Sequence, residues 1–214
     1  MLQRLELLFT KEAIAKLQHA SVAVVGLGGV GGFCVHALAR CGIGKLILCD
    51  FDHVEESNIN RQVVANYETI GQAKTVVLKE QIRKINPCCD VVLLTKKVDM
   101  ELFGYEPDYI IDAIDDIPSK ITLIEQCLLR NIPFISSMGA AKKWDPTAVQ
   151  ILPLSKTSHD PVARIIRAHF KKEHFMVVSS SEEVKVQALG SYVNVVGVFG
   201  LLLADYIIKK IIGV

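Results

Sequence analysis

Residues 21–52, with the sequence SVAVVGLGGVGGFCVHALARCGIGKLILCDFD, decide the fold. The β-branched run at 22–25 is typical of a strand that is buried on both faces, and a glycine-rich turn follows it at 26–31. Residues 33–40 then continue with the apolar spacing of a helix. The stretch therefore predicts a strand, a glycine turn and a helix in succession.

The glycine turn is suited to binding a phosphate. Without Cβ atoms, its backbone can adopt unusual dihedral angles and come close to an anion, which the N–H groups of the helix N-terminus would bind. The glycines expected to bind a cofactor are Gly26, Gly28, Gly29 and Gly31. Residues 46–49 predict a second strand, and Asp50 at its end lies 24 residues after Gly26, near the usual place for a carboxylate on a ribose hydroxyl. These features predict a nucleotide site, and the alternative is a tight turn without a ligand.

The alternation of strands and helices continues outward from this stretch. Further strands are predicted at 90–94, 109–114 and 133–136, and helices at 10–18, 71–85, 100–103 and 117–130. Such alternation implies a parallel sheet with right-handed crossovers. Beyond Trp144 the pattern changes, with short strands at 148–152 and 175–179 and helices at 160–172 and 195–212.

We therefore expect an α/β fold: a Rossmann-like, doubly wound, mostly parallel sheet with a C-terminal extension of short antiparallel strands and helices. The chain of 214 residues, half of them hydrophobic, predicts a single domain, with a nucleotide-binding part at about 20–140 and the extension at about 141–214.

Composition excludes several classes of function. Lys and Arg total 24 against 23 for Asp and Glu, so no global field attracts nucleic acid or membrane. The six cysteines have neither CxxC pairs nor zinc spacing, which predicts reduced thiols in a cytoplasmic protein. Residues 186–204 carry no formal charge, but their polar residues and glycines argue against a membrane span.

Three charged side chains are expected to converge on the crevice at the carboxyl ends of the strands. Arg61 lies in a long polar connection, Lys74 in the first turn of a helix and Asp115 just after a strand. In an enzyme that cleaves ATP between the α- and β-phosphates, the cations would stabilise developing charge and the carboxylate would hold Mg²⁺. The alternatives are solvated charges for the cations and a helix N-cap for Asp115. Asp52 is explained equally well by loop capping or by ligand contact.

Five separated motifs resemble, in order and spacing, the ThiF/MoeB/HesA superfamily of ubiquitin-activating-like adenylating enzymes: GLGGVG, DFD, SNINRQ, IGQAK and DAIDD. The resemblance covers about residues 4–150 and implies ATP and Mg²⁺ as cofactors and a carboxylate as the group that is adenylated. By that match Gly28 contacts phosphate, Asp50 the ribose and Asp115 the magnesium.

The same resemblance implies further ATP contacts. The residues on the triphosphate would be Asn58, Arg61 and Lys74, and Asp52 and Gln62 complete the cofactor-binding set. Arg4 is similar to an N-terminal arginine that reaches the ATP of the partner subunit in this superfamily. The resemblance leaves a monovalent-cation site and a sulfur-transfer partner open.

Within the superfamily, the segments ARCGIGKLILCD, SMGA and KTSHDPVARIIR look most like the tRNA threonylcarbamoyladenosine dehydratase branch, TcdA. This implies adenylation of the carboxylate of threonylcarbamoyladenosine in tRNA, followed by dehydrative ring closure. Activation of the C-terminus of a ubiquitin-like sulfur-carrier protein is the main alternative, and the absence of any cysteine after Cys127 counts against it. A dinucleotide oxidoreductase and a non-catalytic adaptor are weaker alternatives.

The C-terminal extension carries a local excess of positive charge. Residues 142–175 contain seven cationic and three anionic side chains, whereas the whole chain has a net charge of +1. Clustered cations favour phosphate binding, so we expect tRNA to bind here, and a solvated helix face is the alternative. The candidate residues are Lys142, Lys143, Arg164, Arg167 and Lys171. Trp144 and His159 are candidates for stacking on a base, although Trp144 is equally suited to the core.

An uncharged surface at 192–203 predicts self-association. A domain of this size has limited core with which to cover it, so we expect a homodimer that buries part of this surface.

Overall fold

The computed structural model describes residues 1–183, 188 and 190–214. The strands are β1 Ser21–Val25, β2 Lys45–Cys49, β3 Asp90–Leu94, β4 Tyr109–Asp112, β5 Phe134–Ser137, β6 Val149–Pro153 and β7 Met176–Ser180. The α-helices are α1 Lys11–His19, α2 Gly29–Arg40, α3 Lys74–Ile85, α4 Glu101–Gly104, α5 Ile117–Arg130, α6 Pro161–His169 and α7 Val193–Ile212.

All seven strands form one sheet, in the order β3-β2-β1-β4-β5-β7-β6. Adjacent strands are parallel except β6 and β7, which are antiparallel. The strand order reverses beside β1, so the carboxyl ends of β1 and β4 flank the crevice where ligands bind in such sheets. The predicted α/β fold is confirmed, with one difference. β7 was expected in an antiparallel extension, but it continues the parallel sheet beside β5.

Helices cover both faces of the sheet, and β1 shows why the core divides in two. Val22 and Val24 pack into one apolar cluster with side chains from α1, α2, α3 and α7. Ala23 and Val25 point to the other face and pack with α4 and α5. Successive side chains of a strand alternate between faces, so an uninterrupted apolar strand needs cover on both sides.

Two helices begin three or more residues away from the predicted start. α2 starts at Gly29 rather than at residue 33, because Gly28 is its N-cap and the later glycines of the turn are helical. α3 starts at Lys74 rather than at residue 71. Gly71 has a φ of +84°, and a bridge between His53 and Ala73 keeps the chain before Lys74 extended.

α7 packs closely against α2 and therefore belongs to the nucleotide-binding part, although it was assigned to the extension. Val195, Phe199 and Leu203 are buried in the core. A Cβ at Gly200 would lie 2.3 Å from the carbonyl oxygen of Val30, so only glycine permits this helix crossing.

The uncharged surface at 192–203 is thus largely covered by its own chain. This packing removes the reason given above for a homodimer, which stays a prediction. Within the described part of the chain, no helix is long and apolar enough to cross a membrane. Residues 184–187 and 189, which include the start of the uncharged stretch, lie outside that part.

Candidate active site

A cavity of about 770 Å³ lies at the carboxyl ends of the parallel strands. Its walls come from the glycine turn, the end of β2, the polar loop before α3, and the segments that follow β4 and β5. The predicted site residues that line it are Gly26, Gly28, Gly29, Asp50, Asp52, Asn58, Arg61, Gln62, Lys74 and Asp115. One concave site therefore collects side chains that are far apart in the sequence.

The glycines of the turn have different roles. Gly26 has a φ of +86°, and a Cβ there would lie 2.5 Å from the carbonyl oxygen of Ala113. Gly28 is the N-cap of α2 and borders the cavity, where a Cβ would meet only the side chain of Gln62 at 3.8 Å. Gly31 was predicted to bind the cofactor, but it is buried outside the described cavity lining. A Cβ at Gly31 would lie 1.8 Å from the carbonyl oxygen of Gly26, so this glycine lets the helix pack onto the turn.

Asp50 fixes the glycine turn to the end of β2. Its carboxylate accepts hydrogen bonds from the backbone N–H of Leu27 at 2.6 Å and from that of Asp52 at 2.8 Å. The side chain is buried and still lines the cavity. Each carboxylate oxygen has a second lone pair, so Asp50 can also accept a hydrogen bond from a ribose hydroxyl.

Lys74 and Asp52 form an ion pair on the cavity wall. Lys74 is only 5% exposed, and its Nζ lies 2.8 Å from a carboxylate oxygen of Asp52. A cation at the first residue of a helix opposes the macrodipole, and an anion beside it offsets that cost. Asp52 is that anion, and a bound phosphate would add a second.

The polar loop before α3 presents Arg61 and Gln62 to the same space. Nη1 of Arg61 donates to the carbonyl of Ser57 and to the side-chain oxygen of Asn60, both at 2.8 Å. Asn58 is buried and caps the loop by accepting from the N–H of Glu55 at 3.2 Å. Gln62 is buried, and its Oε1 has no hydrogen-bond partner among the described residues. A buried polar atom without a partner costs about 1–3 kcal/mol, so a ligand in the cavity would stabilise this arrangement by contacting it.

Asp115 is exposed at the cavity, in the segment after β4. The alternative role of helix cap belongs to Asp116, whose carboxylate accepts from the N–H of Ser119 at 3.0 Å. Nothing in the described part of the protein donates a hydrogen bond to the carboxylate of Asp115. Its oxygens are therefore available to a ligand.

The donor set fits magnesium better than a cation that needs a protein cage. The described residues contain no group of three or more His, Cys, Asp or Glu side chains placed to hold a metal. Magnesium commonly takes one or two carboxylates and completes its shell with water and substrate phosphates. A single open carboxylate beside a glycine turn suited to phosphate meets that requirement.

The whole chain matches one family model. The model of the ThiF family aligns with residues 2–214. This chain belongs to the ThiF family. The predicted resemblance to the ThiF/MoeB/HesA superfamily is thereby confirmed.

Several similar proteins carry the name expected for the TcdA branch. The chain is 47% identical over 174 residues to the tRNA threonylcarbamoyladenosine dehydratase of Bacillus subtilis (strain 168). The aligned region covers 79% of this chain and 68% of that protein. Identity to the Escherichia coli (strain K12) protein of the same name is 37% over 190 residues, or 86% of this chain and 70% of that one. A crystal structure of the E. coli TcdA in complex with ATP has a TM-score of 0.92 and 33% identity, covering 97% of this chain and 92% of that chain.

The likeness to sulfur-transferring relatives is narrower. The adenylyltransferase and sulfurtransferase MOCS3 of Drosophila sechellia is 33% identical over 135 residues, which is 61% of this chain and 29% of that protein. The predicted membership of this ThiF-family chain in the TcdA branch is confirmed.

Under the cavity, this ThiF-family protein contains a buried ionic network that the sequence analysis missed. Lys120 is 1% exposed, and its Nζ donates to the carboxylate of Asp112 at 2.7 Å and to the carbonyl of Ser137 at 2.9 Å. Ser136 donates to the same carboxylate at 2.5 Å. The other oxygen of Asp112 accepts from the N–H of Ile114 at 3.0 Å, which fixes the segment that carries Asp115. Lys120 precedes the apolar residues 123, 124 and 127 at helical spacing, and that pattern would have predicted its burial.

Among the described residues, one thiol lines the cavity, and its surroundings make it unreactive. Cys49 lines the cavity, and burial, with a smaller effect of the neighbouring Asp50, raises the pKa of its thiol to about 12. Cys127 is buried in α5, and burial likewise raises its pKa to about 12. Thiolates are the nucleophilic form, so neither cysteine is suited to forming a thioester at neutral pH.

The structure separates the predicted tRNA-binding cations of this ThiF-family protein into two groups. Arg164 and Lys171 are exposed, and Lys142 is half-buried. Lys143 was predicted wrongly: it is 4% exposed, and its Nζ donates to the carbonyls of Glu182 at 2.6 Å and His159 at 3.4 Å. Burial lowers the pKa of Lys143, against the opposing effect of Asp160 and Glu182.

Four other predicted residues also have clear positions. Arg167 is half-buried and donates to the carbonyl of Thr157 at 2.8 Å, so it is not a free surface cation. Trp144 is 71% exposed, which rules out the core role, and His159 is exposed as well. Arg4 is exposed and lies outside the described lining of this chain's own cavity, so a role at a partner subunit's ATP stays a prediction.

Proposed function

We propose that this protein uses ATP to adenylate the carboxylate of threonylcarbamoyladenosine in tRNA and then closes the activated side chain into a ring with loss of water. The observation that carries the proposal is the single cavity in which a phosphate-binding glycine turn meets Arg61, Lys74 and the open carboxylate of Asp115. The names of the similar proteins from B. subtilis and E. coli supply the substrate.

The cavity residues have different roles in adenylation. The turn from Gly26 to Gly29 and the N-terminus of α2 bind the phosphates, and Asp50 accepts from the ribose. A substrate carboxylate oxygen attacks the α-phosphorus, and pyrophosphate leaves. Arg61 and Lys74 stabilise the negative charge that develops on the phosphates. Asp115 would hold Mg²⁺, which supplies further stabilisation of that charge.

Ring closure needs no nucleophile from the protein. Once the carboxylate carries AMP it has a good leaving group, and a nucleophile within the same side chain attacks it at a high effective concentration. The raised pKa of Cys49, the thiol that lines the cavity, supports a route without a thioester. The site therefore has to orient the substrate and exclude water.

The proposal also covers the tRNA-binding surface, the oligomeric state and the further partners of the protein. We expect tRNA to contact Arg164, Lys171 and Lys142, and we expect a cytoplasmic homodimer in which Arg4 reaches the partner subunit's ATP. A monovalent-cation site and a sulfur-transfer partner stay predictions from the resemblance. Activation of a sulfur-carrier protein is the less favoured function, because sulfur-transferring relatives share a smaller part of this chain.

Incubation with ATP, Mg²⁺ and tRNA that carries threonylcarbamoyladenosine tests the proposal. Mass analysis of the released nucleosides should detect the loss of one water, together with one AMP formed per event. The Asp115→Asn variant serves as the control that keeps the fold and lacks the metal-binding charge. Unchanged nucleosides, with ATP consumed only when a carrier protein is supplied, would overturn the proposal.

A further inference from the structure

A second, smaller cavity adjoins the ATP cavity. Its volume is about 220 Å³, and its described lining includes Lys142, Lys143, Trp144, Glu182, Ser191 and Tyr192. Ser191 borders both cavities, and the wall of the larger one ends at Ala141, the residue before Lys142. The two spaces are therefore neighbours, and the function proposed above uses only the larger one.

Trp144 is the prominent feature of this side cavity. Its indole is 71% exposed, and a large aromatic side chain in water forgoes the burial that would normally stabilise it. The backbone beneath it is nevertheless held firmly. The N–H groups of Trp144 and Asp145 donate to the carboxylate of Glu182 at 3.1 and 3.0 Å.

The preceding residue strengthens this attachment. The buried ammonium of Lys143 donates to the carbonyls of Glu182 and His159 and so ties the segment to two other parts of the chain. An exposed aromatic ring on a fixed backbone is a preformed surface for a planar ligand. Unpaired RNA bases are recognised in this way, by stacking on aromatic side chains.

We infer that the side cavity binds the purine base of threonylcarbamoyladenosine, stacked on Trp144, while the carboxylate of the same nucleoside reaches into the ATP cavity. This inference rests on the proposed function. The reacting carboxylate is joined to the base only through a carbamoyl group and one amino acid. The base must therefore lie within a few bonds of the α-phosphate, and the side cavity adjoins the ATP cavity at Ser191. Lys142 stands beside it as a cation for the neighbouring RNA phosphate.

The chain offers a direct probe, because Trp144 is its only tryptophan. A tRNA anticodon stem-loop that carries threonylcarbamoyladenosine should quench the intrinsic fluorescence as it binds. Binding is measured in parallel by the anisotropy of a dye on the RNA. A stem-loop with an abasic site at the modified position should bind with little quenching. Binding of the modified loop without quenching, or equal quenching by the abasic loop, would overturn the inference.

Kinetics provide the second measurement. Trp144→Ala should raise the KM for modified tRNA about tenfold or more while leaving kcat and ATP binding near wild type, and Trp144→Phe should restore most of the loss. Tyr67→Ala is the matched control, since Tyr67 is 78% exposed and lies outside the described linings of both cavities. If wild type performs no ATP-dependent dehydration, the proposed function fails. If wild type is active and Trp144→Ala keeps its KM, only this inference fails.

Discussion

The nucleotide-binding part and the C-terminal extension place their polar side chains in different ways. At the first site, Asp50 and Asp52 follow β2, and Asp115 follows β4, so the carboxyl ends of the two strands that flank β1 bring them together. In the extension, the position of Lys143 depends on Glu182, which is 39 residues away in the sequence. The ends of strands can be predicted from a sequence, whereas a contact such as that between Lys143 and Glu182 cannot. Substitutions in the two regions test this contrast.

The buried network under the cavity should show the largest effect on stability. Lys120→Ala leaves the buried carboxylate of Asp112 without its cation, and breaking such a pair costs about 3–5 kcal/mol of unfolding free energy. Urea denaturation measures the loss. The double variant Lys120→Met with Asp112→Asn should recover part of it. Wild-type stability in Lys120→Ala would mean that this side chain is not paired in the folded protein.

Catalysis should depend on Lys74 far more than on other lysines of the same helix. Lys74→Ala removes a charge that stabilises the transition state, and we expect ATP-dependent turnover to fall by about 10²-fold or more. Arg61→Ala and Asp115→Ala should have effects of similar size. Lys84→Ala, at an exposed position of α3, is the matched control. Equal turnover in the two lysine variants would contradict the proposed role of Lys74.

The two groups of extension cations should respond differently to substitution. Changing the exposed Arg164 and Lys171 together to Ala should raise the KM for tRNA and reduce the salt slope of binding by about 2, because about two phosphate contacts are lost. Lys143→Ala should instead lower the midpoint of thermal unfolding, because its two carbonyl partners lose their donor. If the double variant binds tRNA with the wild-type salt slope, the tRNA must bind to another surface.

The smallest effect is expected from the cysteines. Iodoacetamide at pH 8 should modify the exposed Cys88 while Cys49 and Cys127 stay protected, because burial raises the pKa of each of these two thiols to about 12. Peptide mass mapping identifies the labelled residues, and turnover should persist after labelling. Loss of activity that follows the labelling of Cys49 would argue for a covalent intermediate.

The sequence was sufficient where one residue's position follows from its neighbours. The bounds of β3 and α5 agree with the predicted ranges, and the residues from Gly26 to Gly29 form the turn that their spacing indicated. Lys74 lies at the start of a helix, as predicted, and Asp52 supplies the anion that a cation in that position requires. In each case, the period of the apolar residues or the helix dipole supplied a local physical reason.

The sequence failed where distant segments decide the environment. Charge patterning made Lys143 a candidate for binding tRNA, but the residue is buried and two backbone carbonyls bind its ammonium. The glycine motif assigned Gly31 to the ligand, but its lack of a Cβ is needed for contact with Gly26. The sequence also did not reveal what covers the uncharged surface at 192–203. Its partner, α2, lies more than 150 residues earlier in the chain.

The crossing of α7 over α2 bears on how the protein is made. Val196 of α7 lines the ATP cavity and lies against Gly29, and Gly200 lies against the carbonyl of Val30. On a ribosome, α2 and the strands from β1 to β5 are synthesised well before α7. The nascent protein therefore carries an uncovered apolar face on α2 and an incomplete ATP site until α7 has emerged. We therefore expect a ligand of this cavity to stabilise the nascent chain only after α7 has emerged.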